Sequence, residues 1–166
     1  MQLTDIEKKI LAGEEGEAKQ IAMEILTNIG EAMEADFFVQ VSSVQAMAHF
    51  GSLHIAGRDW LEKLACMGGK CCVPTTQDPA SIPFKHWQEM GYDSEYAENQ
   101  YRLEAAIMKL GEMPKWSCTP YYQGSVPRAG QNIAWAESSA VSFANSVLGA
   151  RTNRTPAGLA VCAALT

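Results

Sequence analysis

Apolar side chains recur at helical spacing in two segments near the N-terminus. The first segment follows Thr4 and Glu7, whose three-residue separation is that of a capping box. In the second segment, residues 18–29, apolar positions repeat with a period of about 3.6 residues, and Gly30 follows the last of them. The pattern predicts a short helix that begins after Thr4 and a longer helix that ends at Gly30.

Strand-like and helix-like segments then alternate along the chain. Three short runs rich in aromatic, β-branched or cysteine side chains predict strands at residues 37–42, 71–73 and 116–118. Helical patterns occupy residues 60–65, a long amphipathic stretch capped by Ser94, and residues 133–148. Strands joined by crossover helices form parallel sheets, so we expect an α/β architecture with a largely parallel sheet and flanking helices.

The C-terminal segment, residues 156–166, is apolar on all sides. A helix without a polar face is normally covered all round, which predicts that later structure packs against it. The domain in residues 1–166 would then be incomplete, and this helix would be exposed in the chain as it stands.

The composition narrows the class of ligand. Only 13 Lys and Arg are spread along the 166 residues and the formal net charge is -6, which argues against phosphate-backbone binding. The N-terminus lacks the pattern of a secretory signal, and no run approaches the roughly 20 apolar residues of a membrane span. We expect a cytoplasmic protein that binds a small molecule, and neither nucleic acid nor a membrane.

Polar residues concentrate between Cys118 and Arg154 in an otherwise apolar background. Ser138 and Ser139 lie near the start of a predicted helix, where hydroxyls and free backbone N–H groups bind carboxylates or phosphates. Ordinary N-capping is the commoner use of such residues. Arg151 and Arg154 follow a helix-ending glycine, where they would either grip an anion or complement the helix dipole.

Five cysteines without paired spacing indicate reduced thiols rather than a disulfide scaffold. Cys118 precedes a proline-containing loop, where a thiolate would face a cleft and bind a metal ion. Free cysteines are most often buried as small apolar groups, which we expect of Cys162 and of at least two of Cys66, Cys71 and Cys72. A structural zinc held by the last three with Cys118 is a further interpretation, although the C-x2-C spacing is missing.

Several segments together resemble the catalytic domain of the aconitase X family. The longest is Trp135-Ala136-Glu137-Ser138-Ser139 continuing to Gly149-Ala150-Arg151-Thr152-Asn153-Arg154. The shorter segments are Leu11-Ala12-Gly13-Glu14, Val41-Ser42-Ser43, Val73-Pro74-Thr75-Thr76 and Cys118-Thr119-Pro120-Tyr121. The similarity extends over nearly the whole chain, so residues 1–166 are identified as the N-terminal part of that domain.

The resemblance implies an aconitase-like fold and a hydro-lyase activity on a small hydroxy acid, such as cis-3-hydroxy-L-proline or mevalonate 5-phosphate. It also implies an iron centre, either an iron–sulfur cluster or a mononuclear iron, with Cys118 as a ligand. A small swivelling domain or subunit would complete the active site. The expected substrate contacts are Ser42, Ser43, Ser138, Ser139, Asn145, Arg151 and Arg154, and no catalytic base is identified. The alternative is a non-catalytic α/β binding module that retains the family core without its metal centre.

Overall fold

Three short parallel strands form the centre of the fold in the computed structural model, which describes residues 1–166. The strands are β1 (Val44–Ala46), β2 (Thr75–Gln77) and β3 (Ala134–Trp135), and β1 lies between the other two. This confirms the predicted α/β class and the parallel sheet.

The register of the strands separates two faces of the sheet. Val44 pairs with Thr75 and Ala134, and Gln45 pairs with Thr76 and Trp135. Because successive side chains of a strand point to opposite faces, the Val44 row and the Gln45 row lie on different faces. We name them the α6 face and the α5 face, after the helices α6 (Ala157–Leu165) and α5 (Ser138–Ser146) that pack on them.

Six helices surround the sheet, and four of them build the main hydrophobic core. The helices are α1 (Asp5–Leu11), α2 (Glu17–Ala32), α3 (Phe50–Cys66), α4 (Ser94–Leu110), α5 (Ser138–Ser146) and α6 (Ala157–Leu165). Side chains of α2, α3, α4 and α6 form one cluster of fully or nearly fully buried apolar residues. The α3 helix is kinked at His54, whose φ is 53° and ψ -161°.

The α6 helix lies against β1 and β3 on one face of the sheet. Ala160 and Ala164 contact Val44 and Ala134 across this interface, and all four are buried. Val161, Cys162 and Leu165 are fully buried against the helical core. The expectation that residues 156–166 would be exposed in this chain is therefore wrong, because α2 and the sheet together cover the helix.

The α5 helix packs on the opposite face through small side chains. Ala140 and Ala144 contact the buried indole of Trp135, and Tyr121 lies beside it. A 3-10 turn, Pro120–Gln123, carries this tyrosine, which stacks on Phe143 with a centroid distance of 4.0 Å. This second cluster is much smaller than the helical core.

The strands fall at positions other than those predicted. Residues 37–42 are extended but contain no strand, and Phe37 and Val39 remain exposed. The strand predicted at residues 71–73 occurs instead at β2. Residues 116–118 run beside β2 without forming a strand because Trp116 has a φ of 44°. The helix predicted from residue 133 begins only at Ser138, since residues 134–135 form β3.

The observed helix ends agree better with the capping residues in the sequence than the observed strands agree with the predicted ones. The capping box of Thr4 and Glu7 is present as predicted. The α2 helix continues through Gly30 to Ala32, and the buried Gly30 packs against Met1 and Phe38, where a Cβ would require the Met1 side chain to move. The N-cap of α4 is Asp93 rather than Ser94.

None of these helices combines the length and the apolar character that crossing a membrane requires.

Candidate metal and anion site

Asp78 and Glu137 lie at the carboxyl ends of the two outer strands. Thr76 and Trp135 both pair with Gln45, and the two acidic residues each come two positions later. The N–H of Asp78 still donates to β1 at 3.1 Å, and Glu137 has an extended φ of -71° and ψ of 128°. Because side chains alternate along extended backbone, both carboxylates project from the α5 face at the same edge of the sheet.

Cys118 reaches this edge along the extended segment beside β2. The N–H of Ser117 donates to the last residue of β2 at 3.3 Å, which places the next side chain beside Asp78. The Sγ of Cys118 and one carboxylate oxygen each of Asp78 and Glu137 lie within 4.8 Å of one another. No other three His, Cys, Asp or Glu side chains in the chain converge in this way.

Burial and neighbouring negative charge oppose the ionisation of Asp78 and Cys118 and raise the pKa of each. Burial raises the pKa of Asp78 to about 7 together with the charge of Glu137, against the hydrogen bond from Gln45. The pKa of Cys118 is also raised, by burial first and then by the charges of Asp78 and Glu137. Neither carboxylate forms a salt bridge with a basic side chain. A bound cation would relieve this repulsion and favour the ionised forms.

The donor set fits a metal ion. One thiolate with two carboxylates suits a borderline first-row metal such as iron or zinc, whereas calcium and magnesium prefer oxygen donors alone. Ligand atoms that bind one ion at about 2.0 to 2.3 Å lie roughly 3 to 4.5 Å apart. The observed separations are close to this range, so small side-chain rotations would bring all three donors onto one ion.

An anion-binding arrangement lies directly beside this group. Glu137 is the N-cap of α5, and its carboxylate accepts from the N–H of Ser139 at 3.3 Å and from the Ser139 hydroxyl at 3.4 Å. Arg154 Nη1 donates to the Ser138 hydroxyl at 3.3 Å. One guanidinium, two hydroxyls and the positive end of a helix therefore lie at or next to Glu137, which itself belongs to the group of Asp78 and Cys118. This arrangement suits an anionic ligand next to a metal.

Comparison with known proteins identifies the family. Residues 1–166 match the family described as aconitase X first domain. The chain belongs to the aconitase X family. A solved structure of aconitase X from Thermococcus kodakaraensis, in its holo form, superposes with a TM-score of 0.89 at 41% identity over 99% of this chain.

The aconitase X relatives are longer enzymes. A phosphomevalonate dehydratase large subunit from Methanothermobacter thermautotrophicus is 41% identical over 160 residues, which are 96% of this chain and 40% of that protein. A cis-3-hydroxy-L-proline dehydratase from Pseudomonas aeruginosa is 36% identical, covering 99% of this chain and 28% of that protein. The chain thus spans about two fifths of the large subunit and less than a third of the second enzyme.

Two further residues predicted for substrate binding hold the backbone near Arg154. The amide of Asn145 bonds both backbone groups of Thr152, donating to its carbonyl at 2.9 Å and accepting from its N–H at 3.1 Å. Arg151 pairs through its own backbone with residues 131 and 133, and its side chain is exposed. Arg154 contacts the N-terminal end of α5, so its charge does not complement the dipole of that helix.

Ser42 and Ser43 lie at the opposite, amino-terminal edge of the sheet. The Ser42 hydroxyl donates to the Asn132 carbonyl at 3.2 Å, and the Ser43 hydroxyl accepts from the Trp135 indole N–H at 3.3 Å. Both line an open cavity of about 330 Å³ that also contains Lys115. The structure therefore does not bring these serines together with Ser138, Ser139 and Arg154.

The other cysteines stand apart from Cys118. Cys162 is fully buried as expected, and burial raises the pKa of its thiol to about 12. Cys71 is half-buried, whereas Cys66 and Cys72 are exposed, so the prediction that at least two of these three are buried is wrong. Cys66 ends a helix on its solvent side and Cys72 lies in an exposed loop.

Sequence reasoning missed Asp78, and it considered Glu137 only as a helix-start residue. The only sequence feature that could have identified Asp78 is its position. An acidic residue directly after a buried strand projects at the carboxyl edge of a parallel sheet, where ligands bind in α/β folds. The predicted strands were misplaced, so this signal could not be used.

Proposed function

We propose that this chain is part of an iron-dependent hydro-lyase that removes water from a small hydroxy acid. The observation that carries the proposal is the convergence of Cys118, Asp78 and Glu137 beside the N-terminus of α5. The names of the relatives support it, since they are dehydratases that act on phosphomevalonate or cis-3-hydroxy-L-proline.

The roles of the residues follow from their chemistry. Cys118 would bind the iron through its thiolate, and Asp78 and Glu137 would complete or border its ligand set. Iron bound there would supply a Lewis acid for the departing hydroxyl of the substrate. A mixed set of one thiolate and two carboxylates favours mononuclear iron over an iron–sulfur cluster, which cysteine thiolates usually hold.

The anion of the substrate would lie at the N-terminus of α5. Arg154, Ser138 and Ser139 would bind its carboxylate or phosphate through charge-assisted hydrogen bonds, with Arg151 adding positive charge nearby. Asn145 would keep the loop that carries both arginines in place.

The serines at the other edge and the partner complete the proposal. Ser42 and Ser43 line the cavity that would hold a distal part of the substrate. The designation of five phosphomevalonate dehydratase relatives as large subunits supports a small partner subunit, or an equivalent swivelling domain, that closes the site in a cytoplasmic enzyme.

The test replaces Cys118 by serine in the intact protein. A serine oxygen is a harder and far less acidic ligand than a thiolate, so the variant should lose most of its iron and its dehydratase activity on both candidate substrates. Cys72→Ser, which alters an exposed thiol outside the group, is the matched control and should retain both. Undiminished iron in Cys118→Ser would remove Cys118 from the site. A wild-type protein without iron or activity would instead favour a binding module.

A further inference from the structure

Gln45 is a fully buried polar residue in the middle of the central strand. Its Nε2 donates to Asp78 Oδ1 at 2.8 Å and lies 3.4 Å from the Ser117 carbonyl oxygen. Its Oε1 has no hydrogen-bond partner. An amide with a buried, unpaired oxygen is unfavourable for folding alone, since an apolar side chain of the same size would avoid that cost.

The contacts of Gln45 connect two parts of the proposed metal group. Asp78 supplies one carboxylate, and Ser117 directly precedes Cys118. A side-chain amide has two N–H donors on one nitrogen, so a single residue can hold both acceptors at once. Because only Oδ1 of Asp78 is occupied, the other carboxylate oxygen stays available for a ligand.

A second buried glutamine provides an internal comparison. Gln77 on β2 is also fully buried and also has an unpaired Oε1. Its amide donates to the Ala48 carbonyl, and its register position lies on the α6 face, away from Asp78 and Cys118. Both glutamines therefore have a buried, unpaired side-chain oxygen, but only the side chain of Gln45 contacts the metal group; Gln77 meets it through its backbone, which a side-chain substitution keeps.

We propose that Gln45 is a positioning residue that fixes the separation between the Asp78 carboxylate and the Cys118 segment for metal binding. This inference rests on the proposed metal site. Gln45 is held by hydrogen bonds to both outer strands, so its amide has a fixed place relative to the strands that carry Asp78 and Glu137. Methionine has the same length but no donors, and asparagine carries its amide one methylene too short to reach both acceptors.

The experiment compares Gln45→Met with Gln77→Met in the intact protein, with Co²⁺ as the probe. Absorbance reports thiolate-to-cobalt charge transfer and the d–d bands that depend on ligand geometry. Residues that orient metal ligands typically change metal affinity by about 10- to 100-fold, so Gln45→Met should raise the Kd for Co²⁺ by that factor and shift the bands. Gln77→Met should keep the wild-type Kd and bands even if its melting temperature falls.

Gln45→Asn keeps a buried amide and guards against a Gln45→Met variant that does not fold. It should weaken Co²⁺ binding in the same direction, with shifted bands. A folded Gln45→Met or Gln45→Asn that binds Co²⁺ with the wild-type Kd and bands would overturn the positioning role. A wild-type protein without a thiolate band on Co²⁺ addition would overturn the metal site itself, which is a distinguishable result.

Discussion

The two faces of the small sheet differ in what they bury. On the α6 face, Val44 and Ala134 pack against alanines of α6, and Ala46 belongs to the main helical core. On the α5 face, the row of Gln45 and Trp135 contacts polar partners, and two carboxylates and a thiolate follow at its carboxyl edge.

The α6 face mainly contributes stability, whereas the α5 face carries the groups proposed for chemistry. Small apolar side chains allow α6 to approach the sheet closely, so that face buries mainly apolar area, with Gln77 as a buried polar exception. The α5 face keeps buried polar atoms and mutually repelling acids, which lower stability unless a ligand compensates for them. The α6 face thus provides the support on which an unfavourable set of groups can be held in place.

The largest expected effect is a loss of stability from the α6 face. Leu165 is fully buried in the helical core, and Leu165→Ala should lower the free energy of unfolding by about 2 to 5 kcal/mol through lost burial and a cavity. Urea denaturation of the intact protein measures this. Co²⁺ binding, measured in the absence of denaturant, should be unchanged.

Met108→Ala on α4 is the control, because this apolar side chain is 55% exposed. It should change stability by no more than about 0.5 kcal/mol. Equal effects of the two substitutions would mean that the burial of Leu165 adds no stability beyond that of an exposed side chain. A lost cobalt spectrum in folded Leu165→Ala would show that the faces are not independent.

The same contrast explains what the sequence could predict. Helical periodicity and capping residues are local, so the pattern correctly gave α1, most of α2 and the start of α6. Strands of two or three residues carry little pattern of their own. Val44, Gln45 and Ala46 form a strand because neighbours distant in sequence pair with them, and that information is not local.

The candidate site was predictable only in part for the same reason. Cys118, Ser138, Ser139 and Arg154 all lie around Glu137 at the carboxyl edge, and the family resemblance pointed to all four as candidates. Asp78 joins them through strand register, which the misplaced strands concealed. A small error in strand position moves the carboxyl edge and with it every residue expected there.

The next effect concerns anion binding on the α5 face. Arg154 contacts Ser138 at the N-terminus of α5, so Arg154→Gln should weaken transition-state binding of an anionic substrate by about 1 to 3 kcal/mol, seen in kcat/KM. The melting temperature should hardly change, because the side chain is exposed. Arg151→Gln, which removes an equally exposed cation without a contact to α5, should have the smaller effect. The reverse order would place the anion nearer Arg151.

The smallest expected effect comes from a buried acidic residue on the helical side of the molecule, which otherwise buries mainly apolar side chains. Glu112, just after α4, is 5% exposed and neither carboxylate oxygen has a hydrogen-bond partner. Burial, and then the charge of Glu104, raise its pKa from 4.5 to about 8. Between pH 4.5 and about 8 the folded protein therefore keeps the Glu112 proton, whereas the unfolded chain releases it. The stability that protonated Glu112 contributes to the folded state is complete below about pH 4.5 and is lost as the pH rises towards 8.

Glu112→Gln, which is neutral at every pH, should therefore flatten the decline in stability between pH 5 and 8.5. At pH 8.5 the variant should be more stable than the wild type by on the order of 1 to 2 kcal/mol, because the buried charge is gone. A residual slope should remain from Glu104 and Asp78, whose pKa values are also raised to about 7. Glu98→Gln, on the exposed side of α4, should leave the profile unchanged. Thermal melts across this pH range test this prediction: parallel wild-type and Glu112→Gln profiles would mean that Glu112 finds a hydrogen-bond partner or water in solution and does not lower stability as the pH rises.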